Sequence, residues 1–287
     1  MKVAVIGSNG QLGTDLVEVF GAGHEVVQLT HQDIDVAQLQ SVREVLGRIR
    51  PDVVLNTAAA HHVPKCEEDP VHAYMVNAIG PLNLAKLSQD FGFRVVHYST
   101  DYVFDGSKKR PYVEIDAVNP LNVYGATKSV GEMYVRNYSP KGYVVRISGI
   151  YGKVPCRAKG GNFVTTMIRL AREKNEVKVV TDEVLTPTST ADIARNTLVM
   201  LEKDVPPGIY HMTAQGECSW FQFAEVIFTV FNFKTPLLET TAASMPSPVK
   251  RPFYSVLENE NLKKYGADAM PDWKQSIQHY LQETYRK

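Results

Sequence analysis

Tyr124 and Lys128 stand four residues apart in the stretch NVYGATKSVGE, residues 122–132. On a helix, positions i and i+4 share one face a turn apart, so a phenol and an ammonium at this spacing can enter one pocket. A tyrosine alone ionises near pH ~10, and a neighbouring cation favours the phenolate, bringing the proton within reach of general-acid chemistry. The same spacing occurs on surface helices, where a lysine stem packs along an aromatic ring. The pair therefore takes its meaning from what surrounds it.

Two other stretches supply those surroundings. GSNGQLG places Gly7, Gly10 and Gly13 directly after the apolar run KVAVI (2–6) and before a helical pattern that starts near Gln11. Glycines there allow a tight turn and let a pyrophosphate approach backbone N–H groups at a helix N-terminus. A glycine-rich turn without a ligand has the same composition, but its position at the head of a strand-helix-strand pattern points to dinucleotide binding. YSTDYVFDG (98–106) brings Ser99, Thr100 and Asp101 to the carboxyl end of a strand, the edge where open α/β sheets bind ligands. Either hydroxyl can hydrogen-bond a substrate oxygen, so a hydroxyl, a phenol and an ammonium converge above a dinucleotide site.

The elements that must hold these groups follow from hydrophobic patterning. KVAVI (2–6), EVVQL (25–29), DVVLN (52–56), RVVHYS (94–99) and YVVRI (143–147) are nearly continuous apolar runs, as strands covered on both faces are. Val36, Leu39, Val42, Leu46 and Ile49 mark an amphipathic helix, and residues 70–91 predict another. The alternation predicts an α/β fold, a doubly wound parallel Rossmann sheet with a smaller C-terminal lobe. Residues 1–150, with 178–212, are assigned to the dinucleotide-binding domain, and 151–177 with 213–287 to the substrate-binding lobe. In that second part, 161–174, 188–203, 219–231 and 270–285 read as helices and 178–181 and 208–212 as strands, with a proline-rich stretch over 233–260.

Composition narrows the function classes. Lysine plus arginine equal aspartate plus glutamate at 31 each in 287 residues, and no like-charge run supports a nucleic-acid or membrane-surface partner. Cys66, Cys156 and Cys218 lie far apart without a C-x-x-C pair, which argues against a disulfide scaffold or structural zinc. The start MKVAVIGSNG has no signal-peptide core and no apolar run approaches a bilayer span, so a cytoplasmic protein is expected.

Other residues have blander readings. His61 and His62 are adjacent and on extended chain face opposite ways, so no metal site is expected. Trp220, Phe221 and Phe223 read as core of the second lobe rather than a ligand platform. Cys156 lacks a matched base in its neighbourhood of the sequence and reads as incidental. The tip of the second strand, Thr30, offers neither the acid that suits the NAD ribose nor the arginine that suits NADP, while Asp33 and Asp35 follow close behind. The choice between NADPH and NADH stays open.

GSNGQLG, NTAAA (56–60), VNAIGPLNLA (76–85), STDYVFDG (99–106), the Tyr124-to-Lys128 segment, GNFVTTMIRL (161–170), Pro187-Thr188 and KRPFYSVLEN (250–259) together resemble the dTDP-4-dehydrorhamnose reductases, within the extended short-chain dehydrogenase/reductases. The likeness runs the length of the chain. It implies hydride transfer from NADPH or NADH to the C4 carbonyl of dTDP-4-dehydro-6-deoxy-L-mannose, with Thr100, Tyr124 and Lys128 as catalytic trio. It further implies that Gly10, Gln11, Leu12, Asp35, Val36, Ala58, Ala59 and Tyr98 line the cofactor, that Asp101 and Tyr102 face the sugar, and that Asn162 and Arg251 meet the nucleotide phosphates. Two departures from the family pattern fall on the sugar side. Gly149 in RISGIYG stands where a tryptophan is usual, so a bulky wall is expected to be missing, and His61 stands in for a substrate-side threonine. These departures make the reaction type a firmer expectation than the sugar. Rival readings are a nucleotide-sugar epimerase and a non-catalytic subunit of the methionine adenosyltransferase β type. A homodimer is one open arrangement.

Overall fold

A computed structural model describes residues 1–156, 160–245 and 247–285. The segments 151–177 and 213–287 expected in the smaller lobe therefore each contain residues outside the described set.

The first half builds strand, helix, strand in succession: β1 (Lys2–Ile6), α1 (Gln11–Gly21), β2 (Glu25–Leu29), α2 (Leu39–Ile49) and β3 (Val53–Asn56). Two short helices follow, α3 (Val63–Glu68) and α4 (Pro70–Tyr74), and a π-turn at Met75–Ile79 leads into α5 (Gly80–Phe91). β4 (Arg94–Thr100), α6 (Val123–Tyr138) and β5 (Gly142–Ile147) complete the series. All five expected strands form where the apolar runs place them. Val53, Val54 and Leu55 are 0% exposed, which is why their run is continuous rather than alternating.

The remaining elements are β6 (Ile150–Tyr151), α7 (Phe163–Glu173), β7 (Val177–Val180), β8 (Val184–Leu185), β9 (Thr188–Ser189), α8 (Thr190–Glu202), β10 (Gly208–His211), β11 (Cys218–Ser219), α9 (Trp220–Phe231), β12 (Leu237–Thr240), α10 (Glu260–Lys264) and α11 (Trp273–Tyr285). The main sheet is parallel and ordered β10-β5-β4-β3-β1-β2. The chain leaves β1 towards β2 and returns to β3 on the other side of β1, so the loops after β1 and β3 diverge over a crevice. That reversal is where doubly wound sheets bind ligands.

Val164, Met167, Ile168, Phe223, Ile227, Trp273 and Ile277 form the core of the smaller lobe. Residues 178–181, grouped above with the dinucleotide half, fall elsewhere: β7 pairs with β12, not with the main sheet, because Val177 and Val179 pack into that second core. β10 does join the main sheet beside β5. Leu262, Ala267 and Met270 pack under the main sheet although they come late in the chain. The helix expected over 70–91 is interrupted by the π-turn, where Asn77 is buried. Among the described residues no helix is long and apolar enough to cross a membrane, and no group of three or more His, Cys, Asp or Glu side chains is placed to hold a metal ion.

Candidate active site

A single cleft of about 2430 Å³ runs between the carboxyl edge of the main sheet and the smaller lobe. Small-molecule pockets are roughly 300–1,000 Å³, so this one has room for two ligands together.

Its floor at one end is the glycine turn. Gly10 caps α1 with extended backbone and no side-chain cap, which leaves the first N–H groups of the helix for a ligand. Gln11 is 9% exposed, and its Nε2 is a buried donor without a partner. Gly7, Gly10, Gln11, Leu12, Asp35, Val36, Ala58, Ala59 and Tyr98 all line the cleft. Gly13 does not: a Cβ there would lie 2.1 Å from the Gly7 carbonyl oxygen, so this glycine lets α1 pack against the turn rather than touching a ligand. Asp33 folds back to accept from the Thr30 N–H and hydroxyl at 2.8 and 2.7 Å, and Asp35 is the carboxylate of the two that reaches the cleft.

The Ala58–His61 segment is held from behind. Asn77, in the π-turn, accepts from the Ala60 N–H at 2.9 Å and donates to the Ala60 carbonyl at 2.9 Å and to Thr127 Oγ1 at 3.1 Å. One buried amide thus ties this segment to α6, and π-turns often occur at such functional positions.

Thr100, Tyr124 and Lys128 do come together. Asn122 caps α6 by accepting from the Gly125 N–H at 2.8 Å. A Cβ at Gly125 would lie 2.1 Å from the Tyr102 carbonyl oxygen, so only glycine allows the first turn of α6 to press against the end of β4. Tyr124 packs edge-on to Tyr102 at 5.9 Å. Burial pushes the Tyr124 phenol above its ordinary value, with a Thr100 hydrogen bond opposing that rise. Thr100 donates to Asp101 Oδ1 at 3.0 Å and accepts from the Tyr102 N–H at 3.2 Å. Asp101 also accepts from Ser148 at 2.8 Å and Ser255 at 2.6 Å. Burial raises its pKa, and the three hydroxyls counter part of that rise.

Lys128 is 1% exposed. Its Nζ donates to the Tyr98 carbonyl at 2.5 Å and lies 3.2 Å from His97 Nε2. Burial brings it down to about 7, partly offset by the Glu132 carboxylate. The expectation that the cation eases ionisation of the phenol is thus not what dominates here: the amine is engaged by the Tyr98 carbonyl and His97, and burial governs both groups.

His97 fixes the proton pattern. Asn56 Oδ1 accepts from the Ala58 N–H at 3.2 Å, which turns Nδ2 towards His97 Nδ1 at 3.1 Å. An amide nitrogen only donates, so Nδ1 accepts and the ring proton sits on Nε2, facing Lys128. Burial keeps His97 neutral, and a charge on Lys128 would press the same way. The Nε2–H then needs a lone pair on Nζ, which a neutral amine supplies. A histidine inside the apolar run RVVHYS is the sequence signal that marks this buried group.

On the substrate side, Asp101, Tyr102, Asn162, Arg251 and His61 all line the cleft. Arg251 is exposed at the rim, with its backbone neighbour Lys250 accepting from Asn122 at 3.0 Å. Asn162 is largely spent on structure: it caps α7 by accepting from the Thr165 N–H at 3.0 Å and donates to the Gly152 carbonyl at 3.2 Å.

The chain matches the family model described as RmlD substrate binding domain over residues 1–286. It is 38% identical to the spore coat polysaccharide biosynthesis protein SpsK of Bacillus subtilis, over 98% of this chain and 97% of that one. Among solved structures it is similar to a dTDP-4-dehydrorhamnose reductase from Clostridium acetobutylicum, at 41% identity, TM-score 0.94 and 99% coverage of both chains. A dTDP-4-dehydrorhamnose reductase from Bacillus anthracis, solved in complex with NADP, matches at 35% identity and TM-score 0.93, again over 99% of each chain. The chain belongs to the dTDP-4-dehydrorhamnose reductase family.

Within that family, the departure at Gly149 has a structural answer. Its φ is +51°, and a Cβ would meet Leu185 Cδ1 at 2.6 Å and Trp220 Cη2 at 3.6 Å. Trp220, at the start of α9, lies beside Gly149, lines the cleft and stacks on Phe163 at 4.5 Å. Trp220 packs against the core of the smaller lobe as expected, where Phe223 is 0% exposed, and it also lines the cleft.

Proposed function

We propose that the protein reduces the C4 carbonyl of dTDP-4-dehydro-6-deoxy-L-mannose to give dTDP-L-rhamnose, using NADPH or NADH. The observation that carries the reading is the meeting of Thr100, Tyr124 and Lys128 in one cleft with the uncapped N-terminus of α1. Membership of a reductase family supports an NAD(P)H-dependent oxidoreductase. The NADP complex of the Bacillus anthracis relative supports the cofactor class.

The residues present fit a dinucleotide. The open N–H groups of α1 and the orphaned Gln11 Nε2 are donors waiting for acceptors, as phosphate oxygens are. Gly7, Gly10, Gln11 and Leu12 hold the pyrophosphate in this reading, Asp35 and Val36 the adenosine side, and Ala58, Ala59 and Tyr98 the reactive end. When bound, the reduced cofactor supplies the hydride.

The chain's own groups handle the proton and the carbonyl. Tyr124 delivers its phenolic proton to the oxygen as negative charge develops there. Thr100, whose hydroxyl donates to Asp101 in the free protein, turns that one proton to the same oxygen when the substrate is bound. Lys128, one turn further along α6, lines the same cleft with its Nζ held by the Tyr98 carbonyl and beside His97, and solvent restores the phenolic proton after turnover. Burial of Tyr124 keeps the acid protonated until the charge appears, which is the timing a general acid needs. The smaller lobe, with Arg251 at its rim and Trp220 as a wall, takes the nucleotide sugar.

Incubation with NADPH and dTDP-4-dehydro-6-deoxy-L-mannose, with product separated by chromatography, tests the reading. One dTDP-L-rhamnose formed for each NADPH oxidised supports it. NADPH binding without product would reject this sugar as the substrate.

A further inference from the structure

His61 and Cys156 are brought together across the cleft: His61 Nε2 lies 3.2 Å from Cys156 Sγ. The other ring nitrogen settles the roles. His61 Nδ1 faces the Ala59 carbonyl at 3.1 Å, and a carbonyl only accepts, so Nδ1 carries a proton. Nε2 is then the basic nitrogen, aimed at the sulfur, and the pair is either thiol with imidazole or thiolate with imidazolium. Backbone carbonyl, imidazole and thiol in line is the arrangement that activates a nucleophile.

The thiol is also accessible. Cys156 is half-buried and lines the cleft together with His61, whereas Cys66 and Cys218 are each 2% exposed. Among the described residues Tyr124 is another titratable group near it, since Cys156 adds to the charge that holds the phenol protonated. The expectation that Cys156 lacks a matched base fails because that base comes from a loop 95 residues away.

We propose that Cys156 is a reactive thiol, a site of covalent modification by peroxides and soft electrophiles at the substrate end of the cleft, with His61 as its base. With hydrogen peroxide as oxidant, His61 Nε2 takes the thiol proton and the sulfur attacks one peroxide oxygen. The S–O bond forms as the O–O bond breaks, and the leaving hydroxide takes the proton from His61. Sulfur loses two electrons and the peroxide gains them, giving sulfenic acid and water; one added thiol then condenses with it to a mixed disulfide and water, and a second thiol displaces the cysteine, leaving a disulfide of the two added thiols. The adduct stands beside Tyr124 and obstructs the space a substrate would use. The site does not depend on which sugar the enzyme reduces.

Limited alkylation of the intact protein with iodoacetamide at pH 7, mapped by peptide mass, is the test. Cys156 should react at least about tenfold faster than glutathione and than Cys66 or Cys218 in the same molecule. A folded His61→Gln variant should lose most of that excess and with it the low-pH limb of the rate profile. Dimedone should trap a peroxide adduct at Cys156, and peroxide-treated Cys156→Ser protein should keep a larger share of its own untreated turnover. Alkylation of Cys156 at the glutathione rate in the wild-type protein overturns the proposal whether or not the variant folds, as does an unchanged rate in folded His61→Gln.

Discussion

Lys128 and His97 share a pocket with no room for two charges: Nζ lies 3.2 Å from Nε2, and the two side chains are 1% and 0% exposed. The Asn56 amide holds the imidazole with its proton towards the lysine. The lysine that the chemistry needs is thus stored near the point of proton exchange rather than as a permanent cation.

This storage is legible in stability. Lys128 binds its proton only below about 7 in the folded protein, against 10.5 in an ordinary lysine. Between those values the unfolded chain holds the extra proton, so stability rises with pH across that window, and the burial penalty is fully present below it. Lys128→Met should therefore be more stable than wild type at pH 6, by an amount on the order of a few kcal/mol, with the difference shrinking towards pH 10. Urea denaturation at a series of pH values reads this, and a pH-independent difference would refute it.

The ion pair one turn further along α6 should behave differently. Arg146 and Glu132 are 2% and 3% exposed and meet at 2.7 Å, with Ser99 also donating to Glu132 at 2.5 Å. Arg146→Met leaves a buried carboxylate uncompensated and should cost about 3–5 kcal/mol, while pairing it with Glu132→Leu should recover most of the loss. A double-mutant cycle by denaturation measures both.

At the other end of the cleft, Asp35 lines the wall where the proposed function puts the adenosine. A negative charge there opposes a 2′-phosphate. Asp35→Asn should raise the NADPH-to-NADH ratio of kcat/KM by about tenfold, equal to about 1.4 kcal/mol. An unchanged ratio would place the ribose elsewhere.

The wall at Trp220 yields a split between substrates. Trp220→Ala should raise KM for the nucleotide sugar by about tenfold, as loss of an aromatic contact of roughly 1 kcal/mol or more implies, while KM for NADPH stays put. Gly149→Ala should instead destabilise the fold, since its Cβ would sit 2.6 Å from Leu185 Cδ1 at a positive φ.

The sheet was readable because β1, β3, β4 and β5 are almost wholly buried and therefore write themselves as unbroken apolar runs, while the edge strand β2 shows only a shorter one. The glycine turn and the Tyr124–Lys128 spacing were readable because their partners lie within a few residues. β12 was not, since its four residues are half-exposed and alternate too weakly to stand out. Nor were the pairs that decide the site's finer chemistry. His61 with Cys156, Gly149 with Trp220 and Asn77 with Ala60 each join segments that only the folded chain brings together.

In the proposed reaction hydride goes to C4 of the sugar and a proton comes from Tyr124. Turnover of dTDP-4-dehydro-6-deoxy-L-mannose with NADPH deuterated at the nicotinamide C4, followed by NMR of the product, tests both. The account predicts one deuteron at sugar C4 and a rate lowered at least about a hundredfold in Tyr124→Phe, with cofactor binding retained. Product without deuterium at C4, or undiminished turnover in Tyr124→Phe, would contradict it.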